Sequence, residues 1–240
     1  MTVVLETGIF PISGPEVKLV LDTPAALVHA TAECEDHKVT AVTLQNVPSF
    51  VILSDVETDV EGIGRITCDI AYGGNFYAIL PAEQAGVAIR LDQANTLVDT
   101  GRRIRAALNE YVGDRVVHPE NRGIRGVSHV MFTAESTNPK AHKKSMVLYG
   151  PGGLDRSPCG TGTSARMAQM HFRGELALNQ DFIHESTIGS LFTGRLIGPA
   201  KKVGPFDAVV PTVKGSAYIM GIQQFLLDPE DPFQKGFRLG

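Results

Sequence analysis

The chain has 240 residues, 43% of them hydrophobic and 20% charged, which suits an ordinary globular protein of one large domain or two small ones. A net charge of −4, with no basic run longer than "GRRIR", "HKK" and "KK", argues against a nucleic-acid partner. No apolar run is long enough to span a bilayer and no basic start leads into an apolar stretch, so no membrane partner is expected and the expected location is the cytoplasm.

In chain order, "TVVLETG" reads as the end of a helix closed by Gly8, without an N-terminal half or cap. Strand-like runs follow in "VKLVLDTP", "ALVHATAE", "KVTAVTLQNVPSFVIL", "GRITCDIAYGG" and "NFYAIL". The next stretch, "LDQANTLVDTGRRIRAALNEYVG", has helical spacing, with Leu97, Ile104, Leu108 and Val112 roughly on one face. Two more strands, "GVSHVMFTA" and "KSMVLYG", lead to a Gly- and Thr-rich segment that continues as a short helix to about Gly174. The remainder is strand-like in "FIHESTIGSLFTGRLIG", "FDAVVPTV" and "SAYIMGIQQFLL", and the tail "DPEDPFQKGFRLG" is turn-like. Many strands with two substantial helices predict an α+β arrangement rather than alternating βαβ units.

Cys34, Cys68 and Cys159 are an odd, scattered set, with no CxxC pair, so neither a disulfide framework nor a metal site is expected. Cys34 and Cys68 lie in alternating strand-like stretches and read as half-buried small hydrophobes. Cys159 sits differently, in "DRSPCGTGTSARMA" (155–168), at the mouth of a helix. The first N–H groups of a helix are unpaired and bind anions such as a carboxylate. The same dipole favours a thiolate, so Cys159 is expected to have a lowered pKa and to react with iodoacetamide faster than the other two cysteines. Gly160 and Gly162 allow close approach of a ligand, Asp155 is placed to accept from a substrate ammonium, and Arg166 reads as a packing or pairing residue.

Other readings of this stretch differ in strength. "GTGTSA" fits the form GxGxxA, but "GPGGLDRSPC" separates it from the preceding strand, as a dinucleotide fingerprint does not allow. No Lys follows the glycines, so it is not a phosphate loop. A hydrolase nucleophile with His129 or His184 as base stays open, as does a buried structural cysteine in a Gly-rich turn.

The segment 155–165 resembles the signature around the second catalytic cysteine of the proline racemase family, D-R-S-P-C-G-T-G-T-S-A, throughout. Similarity extends through "LDTPAALV" (21–28), "VTLQNVPSF" (42–50), "DIAYGGNFYAI" (69–79), "SHVMFT" (128–133), "FIHESTIGSLFTGR" (182–195), "GSAYI" (215–219) and "DPFQKGF" (231–237). The resemblance implies the diaminopimelate-epimerase-like fold, two similar domains each with a sheet wrapped round a central helix. It implies no cofactor, a small imino acid (proline or 4-hydroxyproline) as partner, and a homodimer. It implies proton transfer at the α-carbon by two residues on opposite faces. By the match, Cys159 is one of these, Gly160 and Thr161 give N–H groups to the substrate carboxylate, Asp155 binds the ring nitrogen, and His129 contacts substrate. Cysteine rather than threonine at 159 argues against the dehydratase subgroup, and "AYGGNFYAI" with "IHESTIGSLF" leans the substrate toward 4-hydroxyproline.

The family's first catalytic motif, M-C-G-H-G-T, has no match here, and "MTVVLETG" resembles the later part of the helix that follows it. The expectation is an incomplete first domain in residues 1–36 and 218–240 and a complete second domain in 37–217. It includes an exposed apolar patch where further strands would pack, and a chain inactive by itself, or a non-catalytic binder of an imino acid.

Overall fold

The structure is a computed structural model and describes residues 1–22 and 27–236. Residues 23–26 of the family-like stretch 21–28, the last residue of 231–237 and the end of the tail lie outside the described residues.

A short helix, α1 (Thr2–Glu6), precedes a run of antiparallel strands, β1 (Glu16–Asp22), β2 (Leu27–Glu35) and β3 (Lys38–Gln45). Leu5 of α1 packs with Val17, Ala32 and Val39 in a small core of its own, and the Glu6 carboxylate accepts from the Val39 N–H at 2.9 Å. The run "KVTAVTLQNVPSFVIL" is two strands, because the chain breaks at 46–49 around Pro48, which has no N–H to continue a ladder. The second of them, β4 (Phe50–Val60), is followed by β5 (Gly64–Tyr72) and β6 (Phe76–Pro81), then by the long helix α2 (Ala94–Val112). A small hairpin, β7 (Val117–His118) with β8 (Asn121–Arg125), was not visible as a strand pattern. Next come β9 (His129–Ala134), β10 (Lys143–Tyr149), β11 (Gly153–Leu154) and helix α3 (Gly160–Phe172), then β12 (Asp181–Glu185), β13 (Leu191–Pro199) and β14 (Val209–Gly215).

All strands but the hairpin form one sheet, in the order β1-β2-β3-β14-β13-β12-β10-β9-β6-β5-β4, with β11 beside β10. Most neighbours are antiparallel; β6 with β9 and β10 with β12 are parallel. The sheet is curled, for Ser49, just before β4 at one end, bridges Val209 at the start of β14. Helix α3 lies inside the curl, touching β4, β5 and β6 on one side and β13 and β14 on the other, whereas α2 packs outside on β4, β9 and β10.

This double cover explains the sequence of the central strands. In β6, Phe76, Ala78 and Leu80 face Leu97, Ile104 and Leu108 of α2, and the alternate residues Tyr77 and Ile79 face α3. In β9 and β10, Val130, Phe132, Met146 and Leu148 join the α2 side while Met131 and Val147 join the α3 side. A strand covered on both faces carries apolar residues at nearly every position. The other flank of α3 buries Met167, Ala168 and Met170 against Phe182, Leu196, Val209 and Val213.

The expected strand over 216–227 does not form. Beyond Gly215 the described chain has no helix or strand, and Tyr218, Met220, Ile222, Phe225, Leu226 and Leu227 are exposed, Ile222 by 91%. The chain leaves β14 in the interior of the sheet, between β3 and β13, and the following residues pair with neither of the edge strands β1 and β4. Exposed apolar side chains also occur at Val3, Ile9, Phe10, Val20 and Leu27.

Candidate active site at the head of helix α3

The α3 axis is held at both ends. At its C-terminal end the buried Asp69 of β5 accepts from Gln169 Nε2 at 2.6 Å and from Arg173 at 2.6 and 3.1 Å. Burial pushes the Asp69 carboxyl up, but the hydrogen bonds from Arg173, Gln169 and the Asp55 N–H outweigh it and hold the group below its ordinary value. At the N-terminal end, Asn46 Nδ2 donates to Gly73 O and to Ser164 Oγ, both at 2.9 Å. A Cβ on Gly73 would stand 2.3 Å from Thr161 O and 2.5 Å from Ala165 N, so only glycine lets the β5–β6 turn lie against the first turn of α3.

Cys159 caps that helix. Its backbone has φ 66° and ψ 115°, a conformation that non-glycine residues rarely adopt and that surrounding contacts must hold. Those contacts are specific. The Cys159 N–H donates to Ser157 Oγ at 3.0 Å, and Ser157 donates by its own N–H and hydroxyl to Asp155 Oδ1, both at 2.9 Å. Ser190 Oγ donates to Arg156 O at 3.2 Å. Thr163 Oγ1 donates to Pro158 O at 3.1 Å and lies 3.0 Å from Nδ1 of the fully buried His184. Because that hydroxyl proton is committed to Pro158, the His184 Nδ1–H is the donor to Thr163. Burial drives His184 down to about 3, so its imidazole is neutral at neutral pH.

The thiol itself is buried. Tyr77 Oη lies 3.3 Å from Cys159 Sγ and 2.6 Å from Thr161 Oγ1. The β6–β9 register sets Tyr77 beside His129, whose ring packs on the tyrosine ring with centroids 4.7 Å apart. Burial, with the positive charge of Arg105 adding to it, drives His129 down to about 4 against the opposing pull of Asp155, and its Nδ1 is 2.7 Å from Ser128 Oγ. The expectation of a lowered thiol pKa needs correction. Burial pushes Cys159 above its ordinary value, ahead of the lowering by Tyr77, the Gly162 N–H and Thr161, and Asp155 adds to the rise. A helix start favours a thiolate, but enclosure removes the water that would also favour it. Cys68 is higher still, pushed by burial to about 12, and burial also raises Cys34.

Beside the head of α3 lies a largely apolar cavity of about 380 Å³, walled by Leu44, Asn46, Gly160, Thr161, Phe192 and Val213 among others. A Cβ on Gly160 would meet nothing within 4 Å. The N–H groups of Gly160 and Thr161 have no acceptor among the described residues, which leaves them for an anion in this cavity. Asp155, half-buried, keeps one carboxylate oxygen without a hydrogen-bond partner among the described residues. The structure thus brings Cys159, Gly160, Thr161 and Asp155 onto one loop and helix start, with His129 reaching them through Tyr77. The cavity wall includes Gly160 and Thr161, while Cys159, Asp155 and His129 are not part of it. His184 serves Thr163 rather than the thiol, against its reading as a hydrolase base. Arg166 pairs with Gln169 and is largely buried, as a structural residue.

The proline racemase family model matches residues 1–238. The chain belongs to the proline racemase family. It is 49% identical over 238 residues to the 4-hydroxyproline 2-epimerase of Streptosporangium roseum, an alignment that covers 99% of this chain and 70% of that one. It is 40% identical over 237 residues to the proline racemase of Acetoanaerobium sticklandii, covering 98% of this chain and 70% of the other. A solved hydroxyproline epimerase from Agrobacterium vitis, with trans-4-hydroxy-L-proline bound, superposes with a TM-score of 0.89 at 40% identity, over 99% of this chain and 67% of that one. These relatives are racemases and epimerases, so this family member stands among isomerases, with a mixed, sheet-dominated α+β fold.

Sequence reasoning missed Tyr77, Thr163 and Asn46, and gave His184 a different role. For Tyr77 a signal existed: a tyrosine inside the apolar run "NFYAIL" has to be buried, and a buried phenol needs a partner. Thr163 and His184 are joined only through the curl of the sheet, which no spacing reveals.

Proposed function

We propose that this chain carries one of the two acid/base centres of a cofactor-independent epimerase acting on 4-hydroxyproline, with proline as the nearest competitor. In this reading Cys159 exchanges the α-proton from one face of the imino acid. The Gly160 and Thr161 N–H groups take the carboxylate and stabilise the charge that builds on it as the α-carbon loses its proton. Asp155 accepts from the ring ammonium, and the neutral His129 lines the same side. The observation that carries the reading is the placement of the Cys159 thiol at the head of α3, just before Gly160 and Thr161, which line the cavity and whose N–H groups have no acceptor among the described residues. The higher identity to a 4-hydroxyproline 2-epimerase than to a proline racemase supports the hydroxylated substrate.

Inversion needs a second acid/base on the opposite face. Cys34 packs with the α1 core and Cys68 with the α2 core, apart from the Cys159 cluster. We therefore take the 240-residue chain to be inactive in inversion alone. In this reading, residues 1–36 and 218–240 belong to one domain of a diaminopimelate-epimerase-like fold and 37–217 to the other. The same observation favours a second reading, a non-catalytic binder of an imino acid, since the cradle needs no second base. Both readings require binding. Calorimetric titration with trans-4-hydroxy-L-proline is expected to give a saturable heat, weakened at least tenfold by Asp155→Asn, with protection of Cys159 from alkylation. A flat titration together with unprotected Cys159 would remove both readings.

A further inference from the structure

Tyr77 has no part in the assignments above, yet its hydroxyl is the side-chain partner nearest the reacting sulfur, at 3.3 Å, with Thr161 Oγ1 farther off at 3.9 Å. Tyr77 is fully buried, and its oxygen also stands 2.6 Å from Thr161 Oγ1. Thr161 in turn lines the cavity. These three groups form a chain from the wall of the cavity to the sulfur.

We propose that Tyr77 is a catalytic residue, the hydrogen-bond donor to the Cys159 thiolate, and that the Thr161–Tyr77–Cys159 chain reverses direction with the protonation of the sulfur. Each hydroxyl has one proton to give. When Cys159 is a thiolate, Thr161 donates to Tyr77 and Tyr77 donates to sulfur. When Cys159 is a thiol, its S–H donates to the Tyr77 oxygen, Tyr77 donates to Thr161, and the Thr161 proton is released toward the cavity. No net proton travels along the chain. The proton that Cys159 gains or loses comes from or goes to the α-carbon of the substrate, and the two hydroxyls only rotate. The cavity wall therefore offers an extra donor when the sulfur holds its proton, and none when the sulfur is ready to accept one. This inference rests on the proposed role of Cys159.

The other groups facing the sulfur do not substitute for Tyr77. On α3 the Gly162 N–H also points at it and Thr161 Oγ1 stands 3.9 Å away, farther than Tyr77 Oη, Asp155 on the preceding loop opposes the thiolate by its charge, His129 on β9 is neutral and packs on the tyrosine ring, and Arg105 on α2 acts on His129. Burial keeps the Tyr77 phenol protonated well above its ordinary pKa, so it remains a donor throughout the working range.

The test is the pH dependence of Cys159 alkylation by iodoacetamide, followed at that residue by mass spectrometry. Tyr77→Phe is expected to raise the apparent thiol pKa by about one unit, a tenfold loss of thiolate at any pH below it. Thr161→Val is expected to raise it by less, and the double variant to fall short of the sum of the two single shifts, because Thr161 acts mainly through Tyr77 and touches the sulfur itself only at 3.9 Å. An unchanged or lowered pKa in Tyr77→Phe overturns the proposal, and additive shifts in the double variant overturn the chain. Should Tyr77→Phe fail to fold, replacement of Tyr77 by a fluorinated tyrosine decides the matter. That stronger donor of the same shape is expected to lower the thiol pKa, and no lowering overturns the proposal. The titration needs no substrate, so a chain that binds no imino acid but shows the shift loses the epimerase reading and keeps the chain of hydroxyls.

Discussion

The conformation of Cys159 depends on a clamp that a single substitution can open. Thr163→Val keeps the branched shape and removes one hydroxyl. That hydroxyl donates to Pro158 O and accepts from His184 Nδ1–H, and Thr163 and His184 are both fully buried. His184 Nε2 already has no partner among the described residues, so a ring flip does not recover the loss. Leaving a buried donor and a buried acceptor unpaired costs about 1–3 kcal/mol each, so the variant is expected to lose roughly 2–6 kcal/mol. For a chain of this size each kcal/mol lowers Tm by about 2–4 °C, which places the expected fall at roughly 4–24 °C. Thermal melting followed by circular dichroism reads this directly, with urea unfolding as an independent measure. Adding His184→Phe to Thr163→Val removes the stranded donor, and the pair is expected to be less destabilised than the sum of the two single changes. A Tm within about 2 °C of the parent for Thr163→Val would refute the reasoning, because it would mean that the Pro158 carbonyl is not held by this hydroxyl.

Two further outcomes follow from the same geometry. The folded-state pKa values of His184 and His129, about 3 and about 4, lie below the ordinary 6.5. The unfolded chain binds protons at these rings before the folded chain does, so the stability they confer is complete above about pH 6.5 and is lost as pH falls toward the folded values. His184 alone is expected to take away about 2 kcal/mol between pH 6.5 and 5, seen as a lower urea midpoint; an unchanged midpoint would contradict the burial of a neutral imidazole. Gly73→Ala drives a Cβ into backbone atoms of α3, and it is expected to destabilise by about 2–3 kcal/mol and to slow Cys159 alkylation as the helix head shifts. Parent-like stability and alkylation in that variant would show that the turn does not set the helix position.

Much of the architecture was legible because burial imprints itself on spacing. The face of α2 with Leu97, Ile104, Leu108 and Val112 is buried as read, and the strand runs of β5, β6, β9 and β10 stand where the apolar stretches placed them. The head of α3 was legible because Pro158, Cys159 and two glycines mark a helix start that must admit something close. The failures share one cause, that local sequence does not report partners. The apolar run after Gly215 has strand composition but pairs with no strand among the described residues. The thiol pKa depended on how deeply the curled sheet encloses Cys159, which the helix-start argument did not include. Tyr77 of β6 meets Cys159, and His184 of β12 meets Thr163 of α3, through long-range contacts that a single sequence does not show.

The central claim is that the Cys159 thiol exchanges an α-proton, and hydrogen exchange tests it most directly. Trans-4-hydroxy-L-proline and L-proline are incubated with the chain in deuterated water, and the α-proton is followed by NMR beside a Cys159→Ala control. A positioned acid/base contributes about 10²–10⁴-fold, so any exchange carried by Cys159 should vanish in the control. With the 240 residues alone, the account predicts no inversion. It predicts exchange with inversion, lost in Cys159→Ala, when the additional length present in the relatives is supplied from the Streptosporangium roseum epimerase. Inversion by the 240 residues alone, or exchange that persists in Cys159→Ala, would contradict it.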